Sequence, residues 1–370
     1  MVNYDASADE FDIKSVSDFI RCVNEEIRQN LPSLFGAGLK KYLLYLLSAG
    51  VNGKLIIDYC SLIGKQFISF ADQRSMKGED LETAKNKLDS VLTNKVDRLC
   101  IEEICKVLSQ FVSFDSAKNE IDKDFSDSRF LKIPKLVEAS FRGHADYNWH
   151  AQASIFRGRF LKYEREMYYE MIERAPDVFD EKDVYKNLVL MQHYSCPTRL
   201  LDVTFNPLVA LYFACQPTHK EPEVDGRVFV FVSPRCEFWS DLSIQAQSKV
   251  ALLDYGKKKQ FWKDILSGAS LDSYREYFTE TELNPINFLA PAWAKTKKLA
   301  PRIERQSGAF VIAPEIRDDC SLDYWCCKSY RIPENSKNLI LEELDGLNIN
   351  RASLFDGLDN VGIHVKTMYE

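Results

Sequence analysis

An arginine between an aromatic residue and a glycine, in Phe141-Arg142-Gly143, is the first group in this sequence that could do chemistry. An arginine held at the end of a strand can present its planar guanidinium to a phosphate or a carboxylate. The glycine would let a ligand approach the backbone and would permit the positive φ of a tight exit from the strand. The competing interpretation is a structural arginine paired with a buried acid.

A dense polar stretch follows, between helices predicted at Val184–His193 and from Pro207 to about Cys215. Burying such a stretch is costly unless its groups pair with each other or with a ligand. Its candidate residues are Gln192, His193, Tyr194, Thr198, Arg199, Asp202, Thr204 and Asn206. Arg199 and Asp202 could form an internal pair. Because histidines titrate near neutral pH, His193 could act as an acid, a base or a hydrogen-bond donor, or it could be a structural group at a helix end.

The run Lys295–Phe310 is the third candidate. It carries five basic residues, which could meet phosphate or simply lie in solvent. They are Lys295, Lys297, Lys298, Arg302 and Arg305. Glu304 and Gln306 stand two residues apart just before an apolar segment, so in an extended conformation both would face one cleft and either could contact a sugar hydroxyl.

The composition of the chain limits the classes of protein to which it can belong. Its 370 residues carry a net charge of -7, which argues against a surface coated in positive charge for nucleic acid. The first residues have no basic start before an apolar run, and no apolar stretch is long enough to span a bilayer. The ten cysteines include no C-x-x-C pair. We therefore predict a cytoplasmic protein without membrane contact and without a metal site.

Around these candidates, the sequence indicates a helical first part and a mixed second part. Apolar residues at helical spacing predict a helix over Ile13–Ile27 and further helices between about 32 and 130. From about Lys132 onward, apolar runs predict four strands and a short closing helix. The strands are predicted at Leu136–Phe141, Arg227–Val232, Ala309–Ala313 and Asn338–Leu341, and the helix at Arg351–Leu354.

These pieces, in this order, resemble the FRG domain of bacterial and phage-linked proteins. The family is named for an aromatic-Arg-Gly tripeptide, and its strongest stretch resembles QHYGLPTRLLDWTxNPLxALYFA. Residues 192–214 read QHYSCPTRLLDVTFNPLVALYFA, with Ser195-Cys196 in place of Gly-Leu and Val203 in place of Trp. Later family elements resemble Asp225–Val230, Arg302–Phe310 and Leu354–Asn360.

The resemblance implies an α+β fold in which helices flank small mixed or antiparallel sheets, as in ADP-ribosyltransferases. It also implies three segments along the chain. Residues 1–31 would be the opening helix of the FRG domain, residues 32–130 a large all-helical insertion, and residues 131–370 the core of the domain.

The layout of the family further resembles that of mono-ADP-ribosyltransferases. By that likeness Arg142 would hold the phosphate of NAD, Thr204 would brace the nicotinamide end, and His193 or Tyr194 would line the site. Gln306 would stand where the transferases have a catalytic glutamate. An amide cannot supply the negative charge that stabilises an oxocarbenium-like centre. Glu304 could take that role if the strand register shifts.

The function implied by this likeness is that of a toxin or anti-phage defence effector that uses NAD or another nucleotide. Two alternatives stay open. The basic run and the aromatic groups could make a nucleic-acid-binding or processing module. The chain could also be a non-catalytic interaction protein whose working surface is the helical insertion. The sequence identifies no protein target.

Overall fold

A computed structural model of the chain shows an α+β protein, in agreement with the fold class predicted from the sequence. The structure describes residues 12–73, 79–92, 96–123, 137–180, 182–218, 222–234, 237–238, 241–295, 301–316, 320–355 and 357–367. Lys297 and Lys298 of the basic run lie outside these residues. No helix among the described residues has both the length and the apolar composition needed to cross a membrane.

The N-terminal region is helical, as predicted. Helix α1 spans Val16–Cys22 and continues as a π-helical segment, Val23–Arg28. The Ser15 hydroxyl caps α1 by accepting a hydrogen bond from the Asp18 backbone N–H. The next four helices are α2 Leu31–Ser48, α3 Gly53–Gln73, α4 Glu79–Leu92 and α5 Arg98–Lys123.

Seven strands form a single sheet in the order β4-β5-β6-β2-β1-β3-β7. They are β1 Val137–His144, β2 Leu200–Thr204, β3 Gly226–Pro234, β4 Glu237–Phe238, β5 Ala292–Lys295, β6 Gly308–Ile312 and β7 Lys328–Ile332. All neighbouring strands run antiparallel except the short β4, which is parallel to β5. The sheet is thus mixed but mainly antiparallel.

The pairing of β1 with β2 is much shorter than the pairing on either side of it. β1 pairs with β3 along eight residues, and β2 pairs with β6 along five. Between β1 and β2 the only register pair is Phe141 with Thr204. The sheet therefore consists of two well-paired parts joined at one residue pair, and we call this junction the seam.

Nine further helices lie among the described residues after 137. They are α6 Glu164–Arg174, α7 Val184–His193, α8 Pro207–Ala214, α9 Leu242–Lys249, α10 Tyr255–Ser267, α11 Pro301–Arg305, α12 Lys337–Gly346, α13 Arg351–Leu354 and α14 Leu358–Thr367. The predicted strand Asn338–Leu341 was wrong, because it lies inside α12. That helix buries Ile340 and Leu344, four residues apart, and a short apolar run does not separate this pattern from a strand.

The helices cover both faces of the sheet and share its cores. On one face, Phe19 of α1 packs in a cluster with Phe141, Val228 and Tyr330 of the sheet. Residues of α2 to α5 belong to a cluster that reaches the opposite face. The opening helix therefore packs on the sheet domain, while the limits of the three predicted segments stay a prediction.

Candidate functional site

A cleft of about 210 Å³ lies at the seam, between β1, β2, β6 and helices α8 and α11. Seven residues singled out in the sequence line it. They are Phe141, Arg142, Gly143, Asp202, Thr204, Arg302 and Gln306. Segments far apart in the sequence thus meet at one cavity, and we call it the seam cleft.

Arg142 is held at the seam by hydrogen bonds on two of its three nitrogens. Its Nε donates to Nε2 of His144 at 2.7 Å, and its Nη1 donates to the backbone oxygen of Asp202 at 2.6 Å. Nη2 makes no hydrogen bond to any residue that the structure describes. The guanidinium thus ties β1 to β2 where their ladder ends and keeps donor capacity for a ligand.

His144 fixes the orientation of Arg142. An arginine can only donate and a carbonyl can only accept, so Nε2 of His144 accepts from Arg142 while Nδ1–H donates to the Trp149 oxygen at 3.1 Å. Burial of the imidazole, together with the Arg142 charge, lowers the pKa of His144 well below its usual value. His144 is therefore a neutral group that positions Arg142.

Charged groups give the seam cleft a positive balance. Arg142 and Arg302 line it, and the Asp202 carboxylate lies 3.9 Å from Nη1 of Arg142. The Asp202 side chain is 64% exposed, so it weakens the positive charge only partly. Since the whole chain is acidic, this local excess of positive charge favours an anionic ligand.

Gln306 does not lie in a strand, so the prediction of an extended Glu304–Gln306 segment was wrong. Glu304 belongs to α11, and Gln306 follows the end of that helix. A turn is possible here because Ser307 adopts a positive φ of 47°. Gln306 lines the cleft while Glu304 is exposed and does not, so the two side chains do not share one site.

The two polar groups at the floor of the seam cleft are held by local contacts. The Thr204 hydroxyl donates to the backbone oxygen of Gln306 at 2.6 Å and accepts from the backbone N–H of Asn206 at 3.0 Å. The Gln306 amide donates to the backbone oxygen of Leu354 at 3.1 Å. Phe355, the next residue, lies under the Arg302 guanidinium, 4.8 Å from the ring centre. The segment 354–355 thus contacts two residues that line the cleft, Gln306 and Arg302.

Gly143 serves the packing of a helix rather than a turn, which corrects the sequence prediction. It lies inside β1, opposite Val228, and its φ is not positive. A Cβ at this position would lie 1.8 Å from the Ala210 backbone oxygen of α8. Gly226 contacts the same helix, where a Cβ would lie 2.1 Å from the Ala214 oxygen. The two glycines let α8 approach the sheet beside the cleft.

Arg199 does not pair with Asp202, so that prediction was also wrong. It is buried, and it donates to both carboxylate oxygens of Glu164, at 2.9 and 2.5 Å. It also donates to Glu315 at 2.9 Å, and the Lys258 ammonium contacts Glu164 from α10. We call Arg199, Glu164, Glu315 and Lys258 the buried tetrad. Nε and Nη2 of Arg199 therefore bind buried carboxylates, and these ion pairs hold the fold together.

Ionisation within the buried tetrad follows from its geometry. Burial opposes the charge on Glu164, but the adjacent Arg199 and Lys258 overcome that penalty and lower its pKa. For Glu315, burial prevails and raises the pKa. Glu164 is therefore the carboxylate on which the charge balance of the tetrad depends.

The remaining predicted residues lie at the end of α7, in the loop before β2 or at the start of α8. Gln192 accepts from the Thr198 hydroxyl, and the Thr198 backbone N–H donates to the Ser154 hydroxyl at 3.1 Å. Asn206 caps α8, accepting from the Leu208 backbone N–H at 3.0 Å as predicted. His193 and Tyr194 are exposed, in edge-to-face contact with each other, and do not line the seam cleft.

Two important groups were missed by the sequence reasoning. His144 had a signal, because it lies two residues after Arg142 and such residues share a face of a strand. Glu164 had none, since an acidic residue in a charged helix is most often solvated. Among the described residues, no group of three or more His, Cys, Asp or Glu could hold a metal ion.

The architecture and the site define an α+β domain with an anion-attracting cleft at the point where its sheet is least paired. The FRG domain family matches residues 137–223, from the start of β1 to the residues before β3, so the chain contains an FRG domain. Arg142, Asp202 and Thr204 lie within the match, while Arg302 and Gln306 lie outside it. Comparison with curated proteins and with solved structures gave no match.

Proposed function

We propose that the seam cleft binds a phosphate-bearing nucleotide, with NAD as the candidate cofactor, and that the protein is an enzyme of the ADP-ribosyltransferase type. The observation that carries the proposal is the arrangement of Arg142, whose fork is fixed by His144 and Asp202 while Nη2 keeps its donor capacity. Arg302 supplies a second cation to the lining of the cleft. Two guanidinium groups suit a pyrophosphate.

The size of the cleft limits which part of NAD it holds. A volume of about 210 Å³ is below the ~300–1,000 Å³ typical of sites for drug-sized ligands. The cleft therefore suits the phosphates and one ribose rather than a complete dinucleotide. Because the cleft is too small for a complete dinucleotide, ADP-ribose is the first ligand to test.

The chemistry of transfer needs a negative charge that Gln306 cannot supply. In this reaction the bond between ribose C1′ and nicotinamide N1 breaks, its electron pair leaves with nicotinamide, and a nucleophile bonds to C1′. Positive charge develops at the ribose in the transition state. Asp202 is the carboxylate among the described lining residues, and we propose it for this role in place of Glu304.

Calorimetry with ADP-ribose and NAD tests the binding step. We expect Arg142→Ala to weaken binding about 10- to 100-fold, because a hydrogen bond to a charged partner contributes about 1.5–3 kcal/mol. Arg142→Lys should restore little of the affinity, since an ammonium lacks the fork. Arg174→Ala is the matched control, because that arginine is 77% exposed and does not line the cleft.

Release of nicotinamide from NAD, followed by chromatography, tests the chemistry separately. Failure of the unaltered protein to bind either ligand would overturn the proposal. Binding without nicotinamide release, or without labelling of any protein or nucleic acid in a lysate, would leave a nucleotide-binding domain and reject the transferase. The toxin or defence role is tested by comparing growth and cellular NAD on expression of the unaltered protein and of Arg142→Ala.

A nucleic-acid-binding function is the second candidate, favoured by the surroundings of Phe355. Arg302 lies over this ring, and Arg305 donates to the backbone oxygen of Phe355 at 3.5 Å. A ring flanked by cations can stack a base beside its phosphate. Binding of a single-stranded oligonucleotide that weakens steeply with salt, and is lost in Arg302→Ala, would favour this function. If neither ligand class binds, the non-catalytic interaction protein is favoured.

A further inference from the structure

A second cleft, of about 200 Å³, lies between the N-terminal helices and the sheet domain. Tyr59 and Leu62 of α3 line one side of it. Leu242 of α9 and Trp293 of β5 line the other. We call it the junction cleft. It is separate from the seam cleft, with which it shares no lining residue among those described.

Gln247 lines the junction cleft and has a side-chain acceptor, Oε1, without a hydrogen-bond partner among the described residues. This α9 residue lines the cleft and is only 2% exposed. Its Nε2 donates to the backbone oxygens of Asn287 at 2.7 Å and Ala290 at 2.9 Å. These two acceptors fix the orientation of the amide, because a flip would place oxygen against oxygen. Oε1 then has no hydrogen-bond partner among the described residues, and a buried acceptor in that state favours a donor from a ligand.

The charge of the junction cleft is opposite to that of the seam cleft. Asp241 is the charged residue among its described lining residues, and none of them is basic. A phosphate or a carboxylate would therefore be repelled, whereas an uncharged or a cationic molecule would not. Tyr59 and Trp293 add aromatic surface that suits a planar ring.

We infer that the junction cleft is a binding site for a small planar ring compound that is uncharged or cationic and donates an N–H to Oε1 of Gln247. Such a ligand would contact α3 and the sheet domain together. The N-terminal helices would then contribute a wall of a binding site, which gives them a function independent of the nucleotide proposed for the seam cleft.

Indole is a suitable probe, because it is planar and uncharged and carries one N–H donor. 1-Methylindole has nearly the same shape without the donor, and indole-3-acetate adds a negative charge. With the full chain, we expect indole to bind in ligand-observed NMR and calorimetry. We expect 1-methylindole to bind about tenfold more weakly, because Oε1 then stays unpaired, and indole-3-acetate to bind more weakly than indole.

Leu62→Trp tests the location of the site. Leu62 is 41% exposed, so a larger side chain there should fill the mouth of the cleft without disturbing the core. Leu339→Trp is the matched control, because Leu339 is an exposed residue of α12. We expect the first variant to lose indole binding and the second to keep it, with both unfolding as the unaltered protein does.

Three results would overturn the inference. They are equal affinity for indole and 1-methylindole, undiminished binding in a folded Leu62→Trp variant, and no binding of indole at millimolar concentration. None of them bears on binding of ADP-ribose at the seam cleft. The two proposals can therefore fail separately.

Discussion

Two arginines lie beside strand β2, each near acidic residues, but in opposite environments. Arg199 directly precedes the strand, is 1% exposed and pairs with carboxylates of the buried tetrad. Arg142, on the neighbouring strand β1, lies near Asp202, the exposed middle residue of β2, at the seam cleft. The first arginine stabilises the fold, and we propose that the second binds a ligand.

Residue type alone therefore does not mark a binding site. Arg199 is buried and its charge is paired with buried carboxylates, so its loss would leave charges uncompensated. An arginine fixed by neutral acceptors keeps both its charge and part of its donor capacity. We therefore expect substitutions around Arg199 to change stability, and substitutions around Arg142 to change binding or turnover.

The largest expected effect is at Glu164. Glu164→Gln removes the carboxylate shared by Arg199 and Lys258 and leaves two buried cations facing Glu315 alone. We expect the free energy of unfolding to fall by about 3–5 kcal/mol, the typical cost of breaking a buried ion pair. Urea denaturation measures it.

Glu315→Gln is the internal control for that experiment. Because burial raises the pKa of Glu315, loss of its charge should cost less than loss of the Glu164 charge. If Glu164→Gln lowers the free energy of unfolding by less than about 1 kcal/mol, the size typical of an exposed ion pair, the tetrad around Arg199 does not stabilise the fold as we expect.

Asp202→Asn tests the surroundings of Arg142 at the seam cleft, where we expect little change in the free energy of unfolding. Removing the carboxylate beside Arg142 should tighten ADP-ribose binding by up to about fivefold, because an exposed charge contributes at most about 1 kcal/mol. Nicotinamide release should fall about 100-fold if Asp202 supplies the charge that transfer needs. Turnover that survives the substitution would remove Asp202 from the mechanism and keep the binding site.

The pH dependence of stability tests His144. Its pKa is lowered in the folded protein, whereas a histidine in the unfolded chain titrates near 6.5. As the pH falls below about 6.5, the unfolded state takes up the proton first, so stability present above that pH is lost by up to about 1.4 kcal/mol per pH unit.

His144→Gln should remove that part of the slope, because an amide oxygen can still accept from Arg142 but does not titrate. Urea titrations at about pH 7, 6 and 5 measure the slope for both proteins. A slope that is the same with and without His144 would show that the imidazole is not a buried neutral group.

The smallest expected effect is at Ser195, in the loop that leads to Arg199. Its φ of 64° lies in the left-handed region, where a side chain costs about 1 kcal/mol. Ser195→Gly should therefore raise the free energy of unfolding by up to about 1 kcal/mol, reduced by the greater chain entropy of glycine. Ligand binding should stay the same, and a decrease in stability would contradict the assignment of strain.

Much of the fold could be predicted from local pattern. The apolar runs at Arg227–Val232 and Ala309–Ala313 became β3 and β6, and Asn206-Pro207 began α8 as predicted. The run Asn338–Leu341 failed because four residues are too few to separate a period of 2 from a period of 3.6. Strand β7 was missed, since its residues Lys328–Ile332 include three polar ones.

The site could be predicted only in part. The sequence grouped Arg142, His193, Thr204 and Gln306; three of them line the seam cleft, and the exposed His193 does not. The sequence could not show that Arg199 would pair with Glu164, because that residue lies 35 positions earlier in an ordinary charged helix. Tertiary partners of this kind have no local signature.

The single register pair at the seam has a mechanical consequence. Arg142 belongs to the half of the sheet containing β1, β3 and β7, and Arg302 lies in α11, the helix before β6 of the other half. An anion bound by both guanidiniums would link the two halves of the sheet, which share only one backbone register pair at the seam. Occupancy should therefore slow hydrogen exchange at amides on both sides of the seam, while exchange at amides deep in the β1–β3 ladder stays as it was.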